Sequence, residues 1–338
     1  MSEKNLCLEV KNLSAQYTSA GRVIHAVNGV SFTLEQGKTL ALVGETGAGK
    51  TTIAKSILQI LPYPQGSITA GEIMYEGKDL IKLTDKEKQQ IRGAKISMIF
   101  QDPMTALNPV ITVGEQIAEV IRKHKKLDKK TSMQEAADML EMVGIPGRRI
   151  KEYPHQFSGG MKQRVVIAMA LACQPDLLLA DEPTTALDVT IQAQILDIIA
   201  DLRKKLNTSM ILITHDLGVV AGVADSVAVV YAGEIIEYAD KMSLYLNPSH
   251  PYTQGLFGAL PDISVNTRRL ANIKGMPPDP ANLPKGCCFS PRCNFATEKC
   301  ANSKPPQVEI EPGHYCCCWR AAGEEDTAGA ESCAQGGE

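Results

Sequence analysis

The chain predicts an α/β fold built on a largely parallel central sheet, and three observations lead there. A glycine-rich loop, GETGAGKT (residues 44–51), stands between a short apolar run, TLALV, and a run with helical spacing, TTIAKSILQIL. Two further apolar runs, DLLLADEP (176–183) and SMILITHD (209–216), end in acids or in a histidine. Between them lies a long amphipathic stretch, residues 189–206. Strands that alternate with helices are joined by crossovers and so pair in parallel.

Taken in order, the alternating runs at residues 7–17 and 30–37 predict antiparallel strands. The glycine loop follows with its strand and helix, then strands at 71–77 and 97–100. From about residue 112 to 156 the pattern turns helical and more polar, which predicts a helical insertion within a helical subdomain of about 112–170. After about Asp240 prolines, glycines and cysteines accumulate. That change predicts a separate, small, cysteine-rich C-terminal module over 241–320, after a first domain of 1–240. Residues 321–338 read as a disordered tail. No internal repeat is visible.

The 338 residues suit one large domain with a smaller one, and 44% apolar with 22% charged residues is ordinary for a globular chain. A net charge of −3 argues against nucleic acid held by bulk charge. The basic stretch RKHKKLDKK (122–130) reads as the solvated end of a helix, with an anionic partner as the alternative. No apolar run approaches the roughly 20 residues that span a bilayer. The start lacks the apolar core of a signal peptide. A cytosolic chain that meets a membrane through a partner is expected. Of its ten cysteines, seven fall between Cys287 and Cys318. In a reducing compartment such clustering points to a metal before disulfides.

The glycine loop fixes a substrate class. Gly44, Glu45, Thr46, Gly47, Ala48 and Gly49 can turn successive N–H groups into one anion nest. Lys50 can reach the outer phosphates of a nucleotide, and the Thr51 hydroxyl, followed by Thr52, can hold Mg²⁺. Nucleotide hydrolysis also needs acids. Asp181 would hold Mg²⁺ and Glu182 would act as general base toward the attacking water. Ser158, Gly159 and Gly160 open a strong helix and form a second phosphate nest. The bland alternatives are a glycine turn with a chance lysine and a strand end with solvated acids. Their joint occurrence favours an ATPase.

FSGGM (157–161) is similar to the LSGGQ signature of ABC-type ATPases, with Phe157 for Leu and Met161 for Gln. The remaining elements of that family follow in order. Gln101 resembles the Q-loop glutamine, which senses Mg²⁺ and the transmembrane partner. TALD, ending at Asp188, resembles the D-loop, and His215 the switch histidine at the γ-phosphate. Tyr17, 27 positions before Gly44, stands where the family keeps an aromatic that stacks on adenine. Singly, His215 reads as a strand-end histidine and Tyr17 as a core or surface tyrosine.

The resemblance implies a P-loop ABC-type ATPase core with an antiparallel β subdomain and a helical subdomain. It also implies ATP and Mg²⁺ as cofactors. Two such domains close head to tail around two ATP molecules, each signature facing the other's phosphate loop.

NPSHPYTQGL (247–256), KGMPPDPANLPKGCCFSPRC (274–293) and FQDPMTALNP (100–109) resemble the oligopeptide, dipeptide and nickel importer branch. This implies an ATP-hydrolysing subunit at the cytoplasmic face of the membrane. Its partners would be two transmembrane permeases, a second homologous ATPase and an extracytoplasmic solute-binding protein. Peptides are the expected solute, with nickel or another small solute as the alternative. Soluble ABC ATPases of DNA repair or translation, and exporters, form the competing classes. Matching the branch by position assigns Cys287, Cys293, Cys300 and Cys318 as ligands, with His314 opening the last element. Intervals of five, six and seventeen residues separate the four. Four thiolates suit Zn²⁺ or an iron–sulfur cluster, and the wide intervals favour [4Fe–4S]. Cys288, Cys316 and Cys317 are left over.

Overall fold

The computed structural model describes residues 5–185, 188–259 and 273–323. Residues 324–338, nearly all of the expected tail, lie outside the described residues, as do Ala186 and Leu187 of the TALD segment.

Among the described residues, twelve strands form two sheets. The smaller is antiparallel and pairs β2 (Arg22–Glu35), β1 (Leu6–Ser19), β4 (Gly66–Tyr75) and β5 (Lys78–Asp79), in that order. The larger contains five parallel strands: β6 (Ile96–Ile99), β7 (Leu177–Asp181), β8 (Ser209–Thr214), β3 (Thr39–Val43) and β9 (Ser226–Tyr231). It continues antiparallel through β10 (Glu234–Asp240), β12 (His314–Cys316) and β11 (Val308–Glu311).

The parallel strands are apolar on both faces because both faces are covered. On β3, Leu40 and Leu42 join the core beneath the antiparallel sheet, together with Leu8, Val10 and Phe32. Ala41 and Val43, one residue out of phase, face the opposite core with Tyr252 and Phe289. Leu178 and Ala180 of β7 turn instead toward the helical subdomain, where they meet Ile117, Leu140 and Ile167. The period of two thus distributes one strand set among three cores.

The helical insertion holds helices Val113–Lys125 and Lys129–Met142, capped by Thr112 and Asp128, whose side chains accept from the Glu115 and Thr131 amides. The basic stretch forms the junction of these helices, and Lys126 ends the first in the left-handed conformation. Arg122 pairs with Glu115 and Lys125 with Glu135, so part of that charge is compensated inside the fold.

The expectation of a separate C-terminal module is corrected. β12 pairs with β10 (Glu237 opposite Cys316, Tyr238 opposite Tyr315), so the last strands extend the central sheet. Cys288 and Phe289 share a core with Val43, Val229 and Tyr231. The reason is physical: β10 would otherwise be an open edge, and the apolar face of β3 and β9 would lack a cover. His314 is buried, and its Nε2 stands 2.8 Å from Glu237, which also accepts from the Ser249 and His250 amides. Strands β9 and β10, which the sequence pattern did not single out, supply the surface on which this segment lies.

Candidate active site

The chemistry collects at the carboxyl ends of neighbouring parallel strands, where open α/β sheets place ligand crevices. β3 runs into the glycine loop, β7 ends at Asp181, β8 is followed by His215, and Gln101 lies just past β6. The helix Lys50–Ile57 begins directly at the loop, with Gly49 as its N-cap. Its predicted extension to Leu61 is cut short, because Gln59 adopts a positive φ of 56° and breaks the helix. Gly44 has φ 150°, and a Cβ there would lie 2.1 Å from the Val230 carbonyl, so only glycine fits.

Lys50 is buried, and its ammonium donates to the Gly44 carbonyl at 2.6 Å and to that of Glu45 at 2.9 Å. Burial lowers its pKa, while Glu182, Asp181 and Glu45 pull it back up. The Thr51 hydroxyl donates to Asp181 Oδ1 at 2.9 Å, which brings two of the three expected Mg²⁺ residues together, while the third, Gln101, bonds Glu182. Asp181 is buried, and desolvation raises its pKa against the Thr51 hydrogen bond.

Glu182 has a left-handed backbone, φ 45°, uncommon for a residue with a side chain. Its carboxylate accepts from Gln101 Nε2 at 2.9 Å and from the Thr185 hydroxyl at 2.9 Å, and His215 Nδ1 stands 3.4 Å away. Two segments distant in sequence, at Gln101 and His215, therefore join the neighbouring Thr185 in holding one carboxylate. Tyr17 reaches the same region, its hydroxyl 3.2 Å from Thr52 Oγ1.

Ser158, Gly159 and Gly160 lie at the start of the helix Gly159–Leu171, where Ser158 caps the Met161 amide. Asp188 caps the helix Val189–Leu206. Those two helix starts touch: a Cβ on Gly160 would meet Ile191 at 2.7 Å. Among the described hydrogen bonds and ion pairs, none joins Ser158, Gly160 or Asp188 to the phosphate loop of the same chain. The structure thus gathers Lys50, Thr51, Asp181, Glu182, Gln101 and His215 on one side and the signature on another.

Several residues that hold the site were missed. Thr185 bonds Glu182, and buried Gln163 of the signature helix donates to the Pro183 carbonyl at 2.6 Å. Tyr252 and Arg292 both grip Glu45 of the phosphate loop. Thr185 could have been found beside its acid. The others have no local signal, because their partners are 20 to 247 positions away.

The four expected cysteine ligands, Cys287, Cys293, Cys300 and Cys318, line one pocket with Phe289 and Trp319. Burial pushes the Cys287 thiol up to about 11, reinforced by Cys300, Cys318 and Cys293 nearby. Cys288 and Cys317 face a different cavity, beside Glu234 and Lys304, and Cys316 is buried. Among the described residues, no three His, Cys, Asp or Glu side chains form a group that could hold a metal ion. The zinc and iron–sulfur expectations therefore have a shared pocket but no preformed ligand group.

Comparison with known proteins decides the family. The family described as ABC transporter matches residues 27–185, and the oligopeptide/dipeptide transporter C-terminal region matches residues 236–300. The dipeptide transport ATP-binding protein DppD of Bacillus subtilis is 52% identical over 314 residues, covering 92% of this chain and 94% of that protein. The chain belongs to the ABC transporter ATPases of the oligopeptide/dipeptide branch. Further members of this branch are the oligopeptide transport ATP-binding protein OppD of the same organism, 51% identical (92% and 88% covered), and Escherichia coli DppD, 44% identical (92% and 95% covered). Among solved structures, an ATP-binding cassette dimer in a post-hydrolysis state with ADP and phosphate superposes with a TM-score of 0.62 at 28% identity. It covers 69% of this chain and 98% of that one. As an ABC ATPase the chain binds and hydrolyses ATP.

Proposed function

We propose that this ABC ATPase powers import of di- and oligopeptides, at the cytoplasmic face of the cell membrane and bound to two permease subunits. A homologous ATPase would complete the pair, and an extracytoplasmic binding protein would deliver the solute. The observation that carries this reading is a hydrolytic site held by coupled segments, in a chain whose relatives over most of its length are named dipeptide and oligopeptide transport ATP-binding proteins. Among the described residues no helix is long and apolar enough to cross a membrane, so transport would need membrane partners.

In this reading the nest at Gly44–Thr51 and the Lys50 ammonium hold the phosphates, and Tyr17 stacks on adenine. Thr51 and Asp181 supply oxygen ligands that fit Mg²⁺, which when bound neutralises phosphate charge. Glu182 orients the attacking water and accepts its proton, while Gln101, Thr185 and His215 keep the carboxylate aimed. Ser158, Gly159, Gly160 and Asp188 face outward from this site and complete that of the second ATPase. Gln101 and the helical insertion receive the permease, so that closure around ATP is coupled to the membrane.

Cys287, Cys293, Cys300 and Cys318 line one pocket and offer four thiol donors, which would have to draw together to hold a [4Fe–4S] cluster, since among the described residues they form no preformed metal-holding group. Such a cluster would brace a segment with little apolar content rather than take part in ATP hydrolysis. The function is tested by deleting this subunit from cells carrying the permeases and binding protein, and measuring uptake of labelled dipeptide and of nickel. Loss of dipeptide uptake is expected. Intact dipeptide uptake with loss of nickel uptake would replace peptides by nickel as the solute.

A further inference from the structure

Glu45, the second residue of the phosphate loop, is gripped from the far end of the chain. Arg292 forms a two-point pair with it, Nη1 to Oε2 at 2.9 Å and Nη2 to Oε1 at 3.0 Å. The Arg292 side chain is only 5% exposed. It is fixed from every side: Nη1 donates to the Tyr231 hydroxyl at 3.2 Å, Nε to the Lys274 carbonyl at 3.1 Å, and the guanidinium lies 5.8 Å from the Tyr231 ring centre. The Tyr252 hydroxyl accepts the Glu45 amide at 3.0 Å. The Glu45 carbonyl in turn holds Lys50.

We propose that Arg292 is a positioning residue for ATP binding: it cancels the Glu45 charge beside the phosphate nest and fixes the loop from which Lys50 is hung. A carboxylate at this place opposes a polyanion, and its field reaches Lys50. A buried guanidinium fork is suited to the task, since it binds both carboxylate oxygens at once and stays charged. Arg292 closes a short turn, Ser290–Arg292, and the next residue is Cys293 of the cysteine pocket. The C-terminal segment therefore reaches the ATP site through one side chain.

The inference rests on the reading of Gly44–Thr51 as the ATP site, and the experiment separates the two. Equilibrium binding of Mg·ATP and steady-state ATPase kinetics are measured on the full chain. Arg292→Gln should raise the ATP Kd and KM about tenfold, roughly 1.4 kcal/mol, with kcat changed much less. Arg292→Lys, which keeps the charge but loses the fork, should fall between. Glu45→Gln alone should cost less than Arg292→Gln, and adding it to Arg292→Gln should restore most of the affinity, because the uncompensated charge is then gone. A merely structural arginine would give no such rescue. A double variant as weak as Arg292→Gln, or an Arg292→Gln with unchanged KM, would overturn the proposal. Lys50→Ala is the reference: if it binds ATP normally, the site reading itself fails. If it loses ATP while Arg292→Gln does not, only the role of Arg292 fails.

Discussion

Glu182 is the residue on which the proposed chemistry converges. Its left-handed backbone, with the amide bonded to Ile213 at 2.9 Å, swings the carboxylate out of the strand line toward Gln101 and His215. Asp181, one residue earlier, stays buried and bonded to Thr51. Adjacent acids thus acquire different tasks through a single backbone turn. Glu182→Gln keeps the size and the hydrogen-bonding reach but removes the proton acceptor. ATP should still bind, and ATP turnover should drop by roughly 10²–10⁴-fold, the usual contribution of one acid–base group. Rapid-quench turnover and nucleotide retention measure the two effects. Loss of ATP binding would instead make Glu182 a ligand or a structural acid.

At the scale of elements, the segment after Gln101 is tied to the helical subdomain by buried Leu107 and by the hydrogen bonds of Gln116. Buried Gln116 accepts from the Asn108 amide at 2.9 Å and donates to the Asn108 and Ile111 carbonyls at 3.0 and 2.9 Å. Nearby Phe100 and Val110 stay exposed, with Val110 at 78%, where a partner could cover them. Gln116→Leu leaves these backbone groups without their partner. It should lower stability by about 1–3 kcal/mol and loosen the link between Gln101 and the helices. Thermal unfolding reads the first effect. For the second, uptake in the assembled transporter should fall more than ATPase activity. Equal losses of both would remove the coupling role from this segment.

Over the whole molecule, the C-terminal segment is part of the ATPase and not an appendage. It completes the sheet through β12, covers β3 and β9 with Tyr252 and Phe289, and grips the phosphate loop through Arg292. Its cysteine pocket carries a prediction of its own. Protein purified without oxygen should contain about four irons per chain, and Cys300→Ser should abolish that iron while ATP binding persists. One zinc and no iron would replace the cluster by zinc, and no metal at all would overturn both. The pH dependence has a definite sign. Burial pushes the Cys287 thiol up to about 11, so near neutrality it must lose a proton to become a ligand. Apparent metal affinity should therefore rise with pH across the neutral range, as measured by competition with a chelator of known pH dependence.

Local chemistry was legible in the sequence. The glycine loop, the acids closing an apolar strand, the strand-end histidine and the long helix Val189–Leu206 each depend on residues near one another, and each is found where the pattern puts it. Cys287, Cys293, Cys300 and Cys318 share a pocket for a similar reason, since short intervals limit how far three of them can separate. What the tertiary structure alone decided are the long-range pairings. Arg292 with Glu45, Gln163 with Pro183 and β12 with β10 satisfy buried charge, buried amides and an open strand edge. Nothing in the local sequence marks the partner in such cases, because any distant segment with the right group could meet the need, and only packing selects which one does.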